Sequence, residues 1–370
     1  MLTKFEVTNF KNFDKKLTLD LTKSNAYAFN AESVVEGVVN KALIYGHNGV
    51  GKSNLGYAMF DLISHLTDKN PSQSSYDNFL NASNNSTTAH FRHEFMFEEG
   101  SVSYEYGKTD SETLIYEKLS INGSEFASID RRINSVASFN AAGAENLKTE
   151  IGESKISIIS YIKKNSVLED NLNNKCFFKF ISFVNGMLFF RSLERNNYIG
   201  LKQGSSEILA DIIERDNIEN FERFLNNAGI KCKLVAIKSG DKSNIAFDFN
   251  GKQIPIFEIA SQGTKALALF YFWFQRLEED SRVTLLFIDE FDAFYHHTLS
   301  SLIVNMIKSI HAQAILTTHN TSIISNELLR PDCYFLMRDN AINSLANCTV
   351  KDLREAHNIE KMYKAGAFSG

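Results

Sequence analysis

The chain has 370 residues, and its 39 Lys and Arg residues against 44 Asp and Glu residues give a formal net charge of −5. With 44% hydrophobic and 22% charged residues, the composition is that of a globular protein and excludes a mainly disordered chain. The length accommodates one large or two ordinary domains. The slight acidic excess argues against a basic surface for nucleic acid over the whole molecule, although it is compatible with a local patch.

The cysteine spacing and the lengths of the apolar runs indicate the cellular compartment in which the protein is expected. The cysteines at 176, 232, 333 and 348 form no C-x-x-C pair and no cluster with histidine, so we expect neither a zinc site nor a disulfide framework. Lys4 and Glu6 stand where a signal peptide requires an apolar run. The longest uncharged runs, within 180–191 and 266–274, are shorter than the roughly 20 residues that span a bilayer. We therefore expect a soluble, cytoplasmic protein without a membrane segment.

The first third of the chain is predicted to be rich in strands. Alternating apolar and polar residues predict strands at 2–8 and 17–21, and a compact apolar run predicts a strand at 38–45. Residues 53–66 follow with helical spacing. Further alternating runs, separated by turn residues, predict an antiparallel meander at 93–97, 101–106 and 113–121.

The rest of the chain changes character. Apolar residues three and four apart predict helices at 206–215 and 218–226, and a hairpin is predicted for 231–237 and 244–249 around Gly240 and Asp241. Apolar strands and helices then alternate, which predicts a parallel core sheet. These elements are a helix at 266–277, a strand at 283–288, a helix at 298–310 and a strand at 312–317. The predicted fold class is therefore α/β, with an antiparallel β lobe, a parallel core sheet and a compact helical insertion.

A phosphate loop is the strongest chemical signal. Its pattern G-x-x-x-x-G-K-[ST] lies between a predicted strand and a predicted helix, where backbone N–H groups and the helix N-terminus can face phosphate oxygens. Lys52 can reach the β- and γ-phosphates of a nucleotide, and Ser53 can supply a hydroxyl to Mg²⁺. The predicted nucleotide-binding residues are Gly46, His47, Asn48, Gly49, Val50, Gly51, Lys52, Ser53 and Asn54.

Paired carboxylates end a predicted buried strand at Asp289 and Glu290. Opposite a phosphate loop, Asp289 would hold Mg²⁺ and Glu290 would act as the general base that polarises the attacking water. A strand that ends in Asp-Glu is by itself often only a solvated strand end. The two motifs together favour a nucleoside triphosphatase.

Two shorter motifs narrow the class. Residues Ser261, Gln262, Gly263, Thr264 and Lys265 precede a long apolar helix, and Thr317-Thr318-His319-Asn320 closes the next buried strand. In isolation, the first motif is as compatible with a helix cap and glycine turn as with a functional role, and His319 is as compatible with a satisfied histidine at a strand end. Their order and spacing make them informative together.

In these motifs the sequence resembles the ABC-type ATPases of the SMC and recombination-repair branch, including the RecF-like and OLD-like proteins. Over about 1–60 and 255–370, it is most similar to the compact AAA-type ATPases of bacterial abortive-infection and anti-phage operons (PARIS-type or AbiL-type). The N-terminal F-x-x-x-N-F-K-x-F (Phe5 to Phe13) and the tail Met362 to Gly370 support this resemblance.

The resemblance implies an ABC-type P-loop ATPase head that binds ATP and Mg²⁺ and dimerises head-to-tail. Each ATP would lie between the phosphate loop of one subunit and the signature, 261–265, of the other. Ser261 and Gly263 would contact the γ-phosphate in trans, His319 would sense it beside Glu290, and the loop 292–297 would cross the interface. Lys52, Glu290 and His319 are thus the implied catalytic residues.

The sequence departs from the family pattern at two places. The Q-loop glutamine has no firm position; Gln73 is a candidate, but it lies in a polar loop. Histidine at 297 replaces the usual proline and forms a pair with His296. A metal site with Asp292 is conceivable there, although ordinary loop histidines are the simpler interpretation.

The spacing of the motifs predicts three regions. These are an N-terminal ATPase lobe at 1–150, a helical insertion at 151–230 and a C-terminal ATPase lobe at 231–370. Between Lys52 and Ser261 there is no sustained heptad pattern, so we expect no long coiled-coil arms. The stretch after His319 is too short for a Toprim nuclease domain, so any nuclease that this ATPase controls is expected to be another chain.

Three functions remain open at this stage. The favoured one is a slow regulatory ATPase, a homodimer or higher homo-oligomer, that controls a separate Toprim- or HEPN-type nuclease in anti-phage defence. The alternative is a RecF-like DNA-repair ATPase that clamps duplex DNA, but Lys163-Lys164 and Arg131-Arg132 form no dense basic stripe. The third is a scaffold that barely hydrolyses ATP, which the intact Glu290 argues against.

Overall fold

The computed structural model describes residues 1–69, 76–152, 155–191, 197–200, 208–239, 242–279, 282–293 and 297–368. Within these ranges none of the helices has the length and apolar character needed to cross a membrane. The strands are Leu2–Thr8 (β1), Leu17–Asp20 (β2), Val34–Val35 (β3), Val38–Val39 (β4), Lys41–Tyr45 (β5), Ala89–Phe97 (β6), Gly100–Lys108 (β7), Leu114–Ile121 (β8), Ser124–Asp130 (β9), Ser138–Phe139 (β10), Met187–Arg191 (β11), Asn197–Gly200 (β12), Leu234–Ser239 (β13), Lys242–Phe249 (β14), Lys252–Pro255 (β15), Leu285–Asp289 (β16), Gln313–Thr318 (β17), Tyr334–Arg338 (β18) and Ala341–Ser344 (β19). The α-helices are Lys52–Phe60 (α1), Ile63–Leu66 (α2), Ile158–Asn165 (α3), Leu172–Asn185 (α4), Ile208–Glu214 (α5), Ile218–Asn227 (α6), Ile256–Ile259 (α7), Gln262–Glu279 (α8), His297–Ser309 (α9) and Ile359–Lys364 (α10).

One sheet of seven strands forms the antiparallel lobe, in the order β10-β9-β8-β7-β6-β1-β2. Alternate residues of β6 are buried, as the alternating sequence predicts. The ring of Phe95 on β6 packs against Phe180 of α4 with ring centroids 5.3 Å apart. The predicted meander is confirmed.

The second sheet is the core, in the order β12-β11-β16-β17-β5-β18-β19. Its five central strands are parallel, and the two outer strands pair antiparallel. All residues of β5, β16 and β17 are buried, which is typical of a parallel sheet with both faces covered. Since parallel strands end at the same edge, this sheet brings the residues that follow β5, β16 and β17 together. The predicted parallel core sheet is confirmed.

The region predicted as a helical insertion, 151–230, contains α3 to α6, and it also supplies β11 and β12 to the core sheet. The helices predicted at 218–226 and 266–277 form as α6 and α8. The predicted hairpin is present as β13 and β14, while its turn at Gly240 and Asp241 lies outside the described residues. The division of the chain into three lobes stays a prediction.

Buried ion pairs connect these parts. Asp61, directly after α1, accepts a contact from the Lys108 ammonium of the antiparallel lobe at 2.8 Å, and both side chains are buried. Asp211 of α5 pairs with Arg276 of α8 at 2.5 Å and with Arg215 at 3.0 Å. Breaking such a pair leaves a buried charge without compensation, so these contacts fix α1 to the lobe and α8 to α5.

Lys41 is a buried cation on β5, and its ammonium donates to two backbone carbonyls. The Nζ atom lies 3.0 Å from Ile310 O and 2.6 Å from Ala312 O. Burial lowers the pKa of Lys41 to about 8. Between this pKa and the ordinary value near 10.5, the unfolded chain binds a proton that the folded chain has lost, so stability rises with pH across this window.

We expect the free energy of unfolding of the wild type to rise, relative to that of Lys41→Met, by on the order of 2 kcal/mol between pH 8 and pH 10. Denaturant unfolding of both proteins at several pH values measures this difference, because the other titrating groups are common to both. A constant difference between the two curves over that interval would contradict the lowered pKa of Lys41.

Candidate functional site

The phosphate loop connects β5 to α1 at the carboxyl edge of the core sheet. The Gly46 N–H donates to Thr318 O at 3.3 Å, and the Val50 N–H donates to His47 O at 3.3 Å. Gly49 and Gly51 have φ angles of 81° and 107°, in the left-handed region that favours glycine. Residues 47–49 are exposed, so the open side of the loop is accessible to a ligand.

Lys52 begins α1 and folds back over the loop. Its ammonium donates to Gly46 O at 2.8 Å and to His47 O at 3.2 Å, and the side chain is buried. Burial lowers the pKa of Lys52, while the carboxylates of Glu290 and Asp289 act in the opposite direction. The ammonium therefore donates to the loop carbonyls and is also stabilised by the charges of the acidic residues. The phosphates of a bound nucleotide could replace these carbonyls as hydrogen-bond acceptors.

Asp289, the last residue of β16, joins two parts of the site. Its Oδ2 atom accepts from the Ser53 hydroxyl at 2.6 Å, and its Oδ1 atom accepts from the Thr317 hydroxyl at 2.7 Å. Ser53 and Asp289 thus present a hydroxyl and a carboxylate next to each other, and such hard oxygen donors suit Mg²⁺. The residues present fit the magnesium ion that the sequence predicts.

Glu290 follows Asp289 in an unusual backbone conformation. Its φ angle is 48°, in the left-handed region that costs a residue with a Cβ atom about 1–2 kcal/mol. The Glu290 N–H donates to the Thr317 hydroxyl at 2.8 Å, and the side chain is half-buried. Strain of this kind is often found at functional sites, which supports the choice of Glu290 as a chemically active residue.

Asp292 is a residue of this edge whose structural role the sequence did not reveal. Its two carboxylate oxygens each lie 2.8 Å from the Thr318 hydroxyl, and that hydroxyl also accepts the Asn320 N–H at 2.9 Å. Burial raises the pKa of Asp292. Asp292 therefore ties the loop after β16 to the loop that contains His319.

His319 directly follows β17 and is exposed at the same edge. The sheet thus brings together the phosphate loop, the carboxylates at the end of β16 and the exposed histidine. The next residue, Asn320, accepts from Ser322 N–H at 3.0 Å and from the Ser322 hydroxyl at 2.7 Å, which fixes the loop beyond the histidine.

The predicted signature, residues 261–265, lies at the N-terminus of α8. Ser261 caps this helix by accepting the Thr264 N–H at 3.1 Å, and the two hydroxyls lie 2.9 Å apart. Ser261 and Gln262 are exposed, whereas Gly263 and Lys265 are half-buried. Among the described residues, no hydrogen bond or ion pair joins 261–265 to 46–54. The cap interpretation is confirmed, and the role of the signature in trans stays a prediction.

Two further expectations concern residues at gaps in the structure. Gln73, the candidate Q-loop glutamine, lies outside the described residues, as does His296 of the loop 292–297. Within the described part of the chain, no three His, Cys, Asp or Glu residues group as metal ligands. The conceivable site at Asp292 and the histidine pair includes His296, so it stays a prediction.

Asn12, after β1, is a residue of the site that the motifs did not single out, although it lies within the N-terminal F-x-x-x-N-F-K-x-F segment. Its side chain donates to Val50 O at 3.0 Å and accepts from the Asn54 amide at 2.7 Å. A Cβ atom at Gly51 would lie 2.4 Å from Asn12 Nδ2. Asn12 therefore links the antiparallel lobe to the phosphate loop, and a Cβ atom at position 51 would displace its side chain.

The phosphate loop follows a central parallel strand, and a carboxylate from the next strand but one lies against its serine; this arrangement defines a P-loop domain of the nucleotide-binding ATPase class. The chain belongs to the family described as "AAA domain, putative AbiEii toxin, Type IV TA system", whose profile matches residues 41–325. The predicted relation to ATPases of abortive-infection systems is thereby confirmed at the level of the family. The chain matches none of the curated proteins.

Three solved structures of SMC heads are similar to this chain. The SmcHead bound to the C-winged helix domain of ScpA has 17% identity and a TM-score of 0.48, over 94% of this chain and 98% of that one. The SMC head domain from Thermotoga maritima has 16% identity and a TM-score of 0.42, over 92% and 97%. The Smc head domain with an extended coiled coil, bound to the C-terminal domain of ScpA derived from Pyrococcus furiosus, has 14% identity and a TM-score of 0.45, over 94% and 97%. The family assignment rests on the profile match and not on these structures.

We expect Gly51→Ala to destabilise the protein more than Gly49→Ala does. Both substitutions place a Cβ atom at a positive φ, which costs roughly 1–2 kcal/mol, but a Cβ atom at Gly49 meets nothing within 4 Å, whereas one at Gly51 collides with Asn12. Chemical denaturation measures both losses. In a double-mutant cycle, Asn12→Ala should remove the excess loss of Gly51→Ala; equal losses at the two glycines would contradict the observed loop conformation.

Proposed function

We propose that the protein binds ATP with Mg²⁺ and hydrolyses it to ADP and phosphate at this edge of the core sheet. The observation that carries the proposal is the contact of Ser53, in the phosphate loop, with Asp289 at 2.6 Å. It links the segment suited to phosphates with the carboxylate suited to the metal. Membership of an ATPase family supports the same reaction.

The residues of the site would have separate roles in binding the phosphates and the metal. Backbone N–H groups of the loop 46–51 and the N-terminus of α1 would bind the β- and γ-phosphates, with Lys52 as the cation. Ser53 and Asp289 would hold Mg²⁺, which neutralises charge on the phosphates when it is bound.

Glu290 would act as the general base. As the oxygen of water attacks the γ-phosphorus, its proton passes to the Glu290 carboxylate, and the bond from the γ-phosphorus to the bridging oxygen breaks, so ADP leaves with that electron pair. His319, exposed at the same edge of the sheet, would donate a hydrogen bond to the γ-phosphate.

We further propose that two copies assemble head-to-tail, with the signature of one copy against the phosphate loop of the other. Ser261 and Gln262 stand exposed at the start of the eighteen-residue α8. Phe257 and Ile259, just before them, are 40% and 49% exposed. Exposed apolar side chains next to an open helix N-terminus favour a surface that a partner covers.

The proposed role of this assembly is to control a separate effector, a Toprim- or HEPN-type nuclease, in anti-phage defence. The family description, which names a putative toxin of a type IV toxin–antitoxin system, supports a place in such a system. The ATP-bound dimer would hold or release the effector, and slow hydrolysis would time the change.

We expect Glu290→Gln to bind ATP and to accumulate as a closed dimer without turnover, because the amide keeps the shape of the side chain but cannot accept the proton. Lys52→Ala is the matched control and should lose nucleotide binding and stay monomeric. Light scattering in ATP, together with phosphate release, measures both properties. Turnover by Glu290→Gln equal to that of the wild type would remove Glu290 from its role.

Composite sites predict complementation between two inactive variants. Ser261→Arg leaves the phosphate loop intact, and Lys52→Ala leaves the signature intact. A mixed dimer contains one complete site of two, whereas neither variant alone can build one, so an equimolar mixture should recover turnover up to about half that of the wild type. Each variant alone should stay inactive; a mixture as inactive as its components would contradict the head-to-tail arrangement.

Purification of tagged Glu290→Gln protein from native cells in ATP, with Lys52→Ala as the control, tests the effector. A nuclease that copurifies in stoichiometric amount with the first variant and not with the second supports the regulatory function. A homodimer that instead retains duplex DNA would favour a RecF-like clamp and overturn the proposed role in controlling a nuclease.

A further inference from the structure

Thr317, on β17, contacts three consecutive residues at the end of β16 and beyond it. Its hydroxyl donates to Asp289 Oδ1 at 2.7 Å and accepts the Glu290 N–H at 2.8 Å. Its carbonyl accepts the Phe291 N–H at 3.1 Å. The side chain is completely buried. One threonine therefore holds the proposed metal ligand, the proposed general base and the residue after it.

These contacts continue the sheet where its ordinary pairing stops. The ladder between β16 and β17 ends at the pair Ile288 and Leu316. Beyond it the backbone of Glu290 lies in the left-handed region, with φ at 48°, so the chain turns away from the strand direction after this residue. The Thr317 hydroxyl accepts this N–H and at the same time uses its own hydrogen for Asp289, so both of its hydrogen-bonding functions are satisfied.

We propose that Thr317 is a positioning residue for ATP hydrolysis: its hydroxyl fixes the Asp289 carboxylate and the Glu290 backbone relative to each other. Thr317 itself would not touch the reacting atoms, since Asp289 and Glu290 stand between it and the metal and water that they would hold. This inference rests on the proposed hydrolytic function. It adds a residue whose part in the reaction the motifs do not indicate.

The hydroxyl can be removed without changing the shape of the side chain. Valine has nearly the volume and branching of threonine but lacks the hydroxyl, so Thr317→Val removes both side-chain hydrogen bonds and leaves the Glu290 N–H without its acceptor. Thr317→Ser keeps the hydroxyl and removes only a methyl group. Thr284→Val is the matched control. Thr284 lies at the start of the same strand pair, at the opposite end of the sheet from the site. Its hydroxyl donates to Phe183 O at 2.6 Å.

The experiment compares the wild type and these variants by three measurements. Steady-state kinetics give kcat and KM for ATP, fluorescent ATP binding in EDTA gives the metal-free affinity, and a Mg²⁺ titration of bound nucleotide gives the apparent metal affinity. We expect Thr317→Val to lower kcat and the apparent Mg²⁺ affinity by about 10- to 100-fold, as for other groups that orient a metal ligand. The metal-free affinity should change by less than about threefold.

Rescue separates positioning from a structural role. Thr317→Ser should retain most of the wild-type kcat, and Thr284→Val should lower the unfolding midpoint without changing kcat. Wild-type kcat and Mg²⁺ affinity in Thr317→Val would overturn the proposal, and so would an equal loss in Thr317→Ser. If the wild type binds nucleotide but does not turn over, the proposed hydrolysis fails, and the Mg²⁺ titration still decides the role of Thr317.

Discussion

The candidate site depends on one shared carboxylate. Asp289 accepts one hydrogen bond from the hydroxyl of Ser53, in the helix after the phosphate loop, and another from the hydroxyl of Thr317, on the neighbouring strand. Both contacts require β16, β17 and β5 to end at the same level, which their parallel register provides. If this alignment shifted by one residue, the side chains would change faces and the carboxylate would leave the loop. The buried apolar strands thus maintain the geometry on which the polar residues depend.

At this edge of the sheet, a strained backbone and buried polar groups lie close together. Glu290 is left-handed, Asp292 is a buried carboxylate, and Lys52 is a buried ammonium. Threonine hydroxyls and loop carbonyls satisfy these groups by hydrogen bonds, so the site is rigid before any ligand binds. Such preorganisation reduces the reorganisation that charge development on a phosphate would otherwise require.

Within one chain, buried ion pairs fix some elements of the site in place, whereas another element is exposed. The Asp61–Lys108 pair fixes the end of α1 to the antiparallel lobe, and Asp211 fixes α8 to α5. The start of α8, in contrast, is exposed and has its own cap at Ser261. In the proposed assembly, the signature belongs to a helix that is fixed within one copy, and it would complete the site of the other copy. A nucleotide bound at one site would therefore contact both copies.

Local features could be predicted from the sequence: the loop 46–53, the apolar strand that ends in Asp289 and Glu290, the helices α6 and α8, and the meander. Each follows from short-range spacing, since a helix, a strand or a tight loop depends on residues close together in the chain. The tertiary structure alone decided the strand order, the place of β11 in the core sheet, and the roles of Asn12, Thr317 and Asp292. These depend on partners far away in the chain, and neither the Thr317-Thr318-His319-Asn320 motif nor a single asparagine or aspartate identifies its distant partner.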